Sequence, residues 1–135
     1  MVMDNSSTMA WLLREETMAN HDEFGQRLRA RGAVVPMHWK LEIANALVQG
    51  VRRNKVDQPD VETFLTALGL LPIEIDQQTA QRVWDESLTL AQKHHLSVYD
   101  AAYLELAIRR SLPLATLDKA LAKAARAEGI KVIGG

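Results

Sequence analysis

Short β-type runs alternate along the chain with longer stretches of helical periodicity, and this alternation is the sequence mark of βαβ units wound around a parallel sheet. Five strand candidates stand out: Val2-Met3, Ala33-Val34-Val35, Pro72 to Ile75, Leu114-Ala115-Thr116 and Lys131-Val132-Ile133. Gly32 and Gly129 punctuate the second and fifth after helical stretches, where a helix end favours glycine. Between the strands, Met37 to Arg53 places Trp39, Ile43, Ala46 and Leu47 at helical spacing. Gln77 to Lys93 follows Asp76, a good N-cap, and repeats Ala80, Val83, Trp84, Leu88 and Ala91. Val98 to Arg110 follows the cap residue Ser97, Leu121 to Ala127 is alanine-rich, and Asp57 with Pro59 opens a shorter helix ending near Gly69. Ser7 to Leu13 and the polar stretch from Phe24 to Ala30 carry weaker helical patterns.

With 135 residues and no linker, repeat or low-complexity segment, residues 1–135 are expected to form a single α/β domain. No apolar run approaches the roughly 20 residues that a spanning helix needs, and Met1 to Trp11 has no basic stretch leading into an apolar one. A soluble, unprocessed, cytoplasmic chain with no membrane partner is the expectation. The absence of cysteine removes disulfides, thiolate metal sites and cysteine nucleophiles together. A net charge of -1 lacks the basic excess of a protein that coats nucleic acid. The charge is segregated, however: seven Lys/Arg against three Asp/Glu in residues 20–55, two against nine in 56–105, and six against two in 106–135.

Four carboxylates sit where solubility does not require them. Asp4 closes the first strand, Glu42 interrupts the apolar stretch Leu41 to Val48, Asp100 stands within Val98 to Leu104, and Asp118 follows the fourth strand. Helix capping explains three of them singly, since Ser97 to Asp100 has the form of a capping box and Asp4 and Asp118 precede helices. Glu42 lies inside a helix instead, with Asn45 one turn away. In an open parallel sheet the ligand crevice lies beyond the carboxyl ends of the strands, where strand order reverses. Asp4 and Asp118 would face one crevice there if their strands are neighbours, and crossing helices can bring in Glu42 and Asp100. Two unit charges about 5 Å apart repel by roughly 3 kcal/mol at an effective dielectric of about 20, a cost that a cation relieves. All-oxygen ligands favour Mg²⁺ or Mn²⁺ over zinc.

Leu96 to Ala107, reading LSVYDAAYLELA, and Leu112 to Lys119, reading LPLATLDK, resemble at this spacing the carboxyl-terminal half of PIN-domain ribonucleases, specifically the VapC-type toxins of toxin–antitoxin pairs. Met37 to Leu47 is similar to the central helix of that family, and Asp4-Asn5-Ser6 to its opening aspartate and serine. The resemblance covers nearly the whole chain and is weakest over residues 15–32 and 54–70. Fewer apolar residues precede Asp4 than is usual, so the first strand looks clipped, and Asn5 stands where a small residue is commoner.

This resemblance implies a PIN-like α/β/α sandwich, with a five-stranded parallel sheet in the order 3-2-1-4-5 flanked by helices. It further implies Mg²⁺ or Mn²⁺ held by Asp4, Glu42, Asp100 and Asp118. Asp4 and Asp100 would ligate directly, and Glu42 and Asp118 through water. Ser6 and Thr116 would hold a carboxylate or phosphate, or else serve as turn or cap residues, and Asn45 would orient Glu42. The implied activity is endoribonucleolytic hydrolysis of RNA, and the implied partners are an RNA substrate, a cognate antitoxin and a second copy in a homodimer. The helices around Phe24 to Leu28 and Val61 to Leu70 would supply these protein contacts.

Lys40, Arg52, Arg53, Lys119 and Lys123 are candidates to guide an RNA backbone, or else simply solvated. His38, His94 and His95 lack a paired base or metal spacing and read as non-catalytic, while Trp11, Trp39 and Trp84 read as core. Two rivals use the same scaffold: a catalytically silent interaction module, and a phosphoacceptor receiver domain with Asp76 as acceptor and Thr116 and Lys131 as helpers. The receiver reading leaves Asp100 and Glu42 without a role and lacks a second acid after Asp4. A dehalogenase-type phosphatase would require an aspartate where Ser6 stands.

Overall fold

The computed structural model describes residues 1–134. Strands β1 (Val2–Met3), β2 (Ala33–Val35), β3 (Ile73–Ile75), β4 (Leu114–Ala115) and β5 (Val132–Ile133) pair in parallel in the order β3-β2-β1-β4-β5. The sheet thus has the order that the resemblance implied. The central strand is indeed short, yet Val2 pairs with both Val34 and Leu114, and Met3 with Ala115. All of these residues are buried apolar groups, the pattern of a strand covered on both faces.

The helices are α1 (Asn5–Leu12), α2 (His21–Arg31), α3 (Trp39–Arg52), α4 (Gln58–Gly69), α5 (Thr79–Arg82), α6 (Leu88–His94), α7 (Val98–Arg110) and α8 (Lys119–Ala127). Helix α1 packs against α2 and α3, whereas α7 packs against β1, α6 and α8. Helix α2 ends at Gly32, whose φ of 71° is open to glycine, and whose Cβ, if present, would lie 2.3 Å from the Pro72 carbonyl oxygen. A side chain there would drive β2 away from the segment leading into β3.

The Gln77–Lys93 stretch departs from the expected single helix. Helices α5 and α6 are joined by a π-helical turn, Val83–Ser87, and Gln78 rather than Asp76 takes the N-cap position. The wider turn breaks the apolar stripe, because residues on either side of it no longer share one face. Ser87 consequently occupies a buried position, and Trp84, expected in the core, is 91% exposed. Trp39 is buried as expected, while Trp11 is partly buried beside Phe24.

Asp76 is engaged elsewhere. Arg109 on α7 donates through both terminal nitrogens to its carboxylate, at 3.1 and 2.8 Å, and through Nε to Glu105 at 2.9 Å. Thr79 donates to the same aspartate at 2.8 Å. Burial works to raise the Asp76 carboxyl, but the hydrogen bonds from Arg109 and Thr79 outweigh it and hold the group below the usual carboxylate range. This network fastens the edge strand β3 to α7. It also engages Asp76 fully, at the end of an edge strand, where the receiver reading required an open phosphoacceptor.

Candidate active site

Strand order reverses between β1 and β4, so the crevice beyond their carboxyl ends is the natural ligand site of this sheet. Asp4 leaves β1 directly into α1 and caps it, its Oδ1 accepting from the Ser7 backbone N–H at 2.9 Å. The same carboxylate accepts from the Ser6 hydroxyl at 2.8 and 2.9 Å and from Thr116, which follows β4, at 2.5 Å. Two hydroxyls from neighbouring strand ends therefore converge on one buried acid. Ser6 Oγ also accepts from the Leu117 N–H, and Thr116 Oγ1 from the Asp118 N–H, both at 3.0 Å, so the loop after β4 is tied to Asp4 through them. Burial raises the Asp4 carboxyl above its ordinary range, although the hydrogen bonds from Thr116, Ser7 and Ser6 oppose this.

Asp118 caps α8 by accepting from the Leu121 N–H at 2.8 Å, and Ser97 caps α7 by accepting from the Asp100 N–H at 3.1 Å. The capping readings of Asp4 and Asp118 thus describe real contacts, and they do not compete with a role in the crevice. A cap residue by its nature stands at a helix start, and these helices start at the strand ends. The Asp100 carboxyl is raised above its ordinary range by burial and then by the negative charges of Asp118, Glu42 and Asp4. The four acids singled out in the sequence therefore share one electrostatic neighbourhood.

Glu42 is held differently. The buried Tyr103 hydroxyl donates to its Oε1 at 2.5 Å, and His38 Nε2 lies 3.8 Å from the same oxygen. Asn45 is exposed and makes no hydrogen bond to Glu42 among the described residues; Tyr103 makes that contact instead. Sequence reading missed Tyr103 because it lies in the apolar run of α7. The signal available was its position three residues after Asp100, one turn along the same helix.

The pairing of charges separates these acids from the rest. Asp76, Glu105, Glu74 and Glu86 pair with Arg109, Arg110 or Arg82, and Glu128 with Lys93 and His94. Among the described residues, no Lys or Arg pairs with Asp4, Glu42, Asp100 or Asp118. Lys40, Arg52, Arg53, Lys119 and Lys123 are all exposed, and Lys119 and Lys123 follow Asp118 on α8. His94 Nε2 donates to the Glu128 carboxylate at 2.7 Å, and His95 is exposed at the end of α6, so neither joins the acids. Among the described residues, no three Asp, Glu or His groups stand close enough to enclose a metal ion unaided. No helix among the described residues is long and apolar enough to cross a membrane.

Three likenesses bear on this arrangement. The crystal structure of PAE2754 from Pyrobaculum aerophilum superposes with a TM-score of 0.71 over 98% of this chain and 87% of that one, at 21% identity, which speaks for the fold. The curated protein Ribonuclease VapC3 from the same organism is 33% identical over 82 residues, covering 61% of this chain. The match spans 63% of that protein's own length. Residues 1–127 match the PIN domain family. With the sheet order, the reversal crevice and this match in agreement, the chain belongs to the PIN-domain family.

Proposed function

We propose that this chain is a divalent-metal-dependent endoribonuclease, the toxin of a toxin–antitoxin pair, acting through Asp4, Glu42, Asp100 and Asp118. The observation that carries the reading is the crevice itself: at a strand-order reversal the charges of Asp118, Glu42 and Asp4 all bear on Asp100, and no Lys or Arg among the described residues pairs with any of the four. The other buried acids among the described residues, Asp76 and Glu105, both pair with Arg109. The ribonuclease named in the relative, Ribonuclease VapC3, supports the substrate class and the VapC-type reading.

The donor set fits Mg²⁺ or Mn²⁺, since it is all oxygen and partly open to water. Mg²⁺ characteristically takes one or two carboxylates and keeps several waters, so it does not require the cluster of three close ligands that the described residues lack. When bound, such an ion activates a water and stabilises charge developing on the phosphate oxygens. Asp4 and Asp100 would hold it directly, and Glu42 and Asp118 through water. Ser6 and Thr116 keep the Asp4 carboxylate in one orientation by donating to it, and Tyr103 does the same for Glu42. Lys119 and Lys123 would draw the RNA backbone toward the acids, and Lys40 would do so from α3.

For partners, the reading gives a second copy and an antitoxin whose tail offers a basic side chain to the carboxylates. Phe24 and Leu28, expected to supply such contacts, are buried in the core and offer no exposed apolar surface for them. Leu65 on α4 and Leu70 just after it, 47% and 82% exposed, remain available. The test is cleavage of a labelled single-stranded RNA by the purified chain: cleavage should need Mn²⁺ or Mg²⁺, stop with chelator, and fall at least about 100-fold in Asp100→Asn. Equal cleavage by the Asn variant, or cleavage indifferent to chelator, would remove the metal site from the account.

A further inference from the structure

We infer that Tyr103 is a positioning residue that sets the Glu42 carboxylate for metal binding, an inference that rests on the metal-site reading above. Glu42 and Asp100 belong to different helices, α3 and α7, and nothing in either helix alone fixes where the Glu42 side chain points. Tyr103 spans the gap. Its ring is 1% exposed, so its place is set by packing, and its hydroxyl donates to Glu42 Oε1 at 2.5 Å. No donor among the described residues binds Oε2, so one oxygen is anchored and the other is left free.

The neighbouring His38 braces the pair. Its ring meets Tyr103 edge-on with centroids 5.2 Å apart, and its Nε2 lies 3.0 Å from the Tyr99 carbonyl oxygen. The start of α3 is thereby joined to the start of α7. Within a cluster of like charges, a neutral donor such as Tyr103 can hold a carboxylate without neutralising it, whereas a lysine or arginine there would compete with the cation. Groups that orient a ligand in this way commonly carry about 10–100-fold of metal affinity.

The test is Mn²⁺ binding, read from the electron paramagnetic resonance signal of the free ion, to the full chain, Tyr103→Phe, Glu42→Gln and the double variant. Phenylalanine keeps the ring that packs against His38. Tyr103→Phe should weaken Mn²⁺ binding about tenfold. It should add nothing further in the Glu42→Gln background, because the lost bond acts only through Glu42. In RNA cleavage the loss should fall on kcat, with KM unchanged. In the unmodified chain, proton NMR should show a slowly exchanging Tyr103 hydroxyl that moves in Glu42→Gln, a readout independent of whether Tyr103→Phe folds. Mn²⁺ binding unchanged in Tyr103→Phe, an equal additional loss in the Glu42→Gln background, or a freely exchanging hydroxyl would overturn the inference while leaving the nuclease reading intact. No Mn²⁺ binding by the unmodified chain would overturn both.

Discussion

At the scale of single residues, the acids of this fold divide by what they are paired with. Asp76 and Glu105 have Arg109, whereas Asp4 has only hydroxyls and a backbone N–H, and Asp100 has mainly other acids. This difference has a thermodynamic sign. The fold raises the Asp100 carboxyl, so between its ordinary range and its folded value the native state binds more protons than the unfolded one. Stability must therefore fall as pH rises through that window. Metal-free Asp100→Asn should lessen this slope and, at pH 7, melt at a higher temperature than the unmodified chain. Saturating Mn²⁺ should reverse the ranking, stabilising the unmodified chain by about 2.7 kcal/mol at a hundred times Kd and the variant by far less. Thermal melts with and without chelator check both statements. Asp4, Asp100 and Asp118 were legible in the sequence because cap positions and strand ends are local features. Tyr103 was not, since its hydroxyl acquires its partner 61 residues away only when α3 and α7 pack.

At the scale of elements, the fifth and sixth helices show where periodicity stops being a guide. Val83, Trp84, Leu88 and Ala91 match a helical stripe, but the π turn rotates that stripe and turns Trp84 outward. Trp84→Ala should accordingly change stability by no more than about 0.5 kcal/mol in urea denaturation, and Trp39→Ala should cost about 3–5 kcal/mol. A large loss from the first would mean that the stripe is intact and the π turn wrong. The link between β3 and α7 escaped the sequence for another reason: Asp76 and Arg109 are 33 residues apart, and ion pairs leave no periodic trace. Arg109→Met should destabilise by about 3–5 kcal/mol, because it leaves two buried carboxylates without their cationic partner. Asp76's share of that stabilisation is present above the ordinary carboxylate range and is lost as pH falls through its depressed folded value.

Across the whole molecule, strand order does what no single residue can. The chain lays β2 and β3 on one side of β1 and β4 and β5 on the other, and this reversal brings Asp4 together with Thr116 from a position 112 residues later. Because the strand sequences and crossover helices were legible, so was the site's place in the sheet. The acidic middle of the chain was legible only as a count: the structure pairs four of its nine acids, Glu74, Asp76, Glu86 and Glu105, with arginines and, among the described residues, gives the crevice acids none. The claim that joins these scales is that the unpaired acids hold a metal that cleaves RNA. Its most direct test is transcriptome-wide mapping of new 5′-phosphate RNA ends after induced expression, without antitoxin, of the unmodified chain and of Asp100→Asn. New ends confined to the unmodified chain are the predicted result. Identical maps from two folded proteins would contradict it and return the scaffold to a silent interaction module.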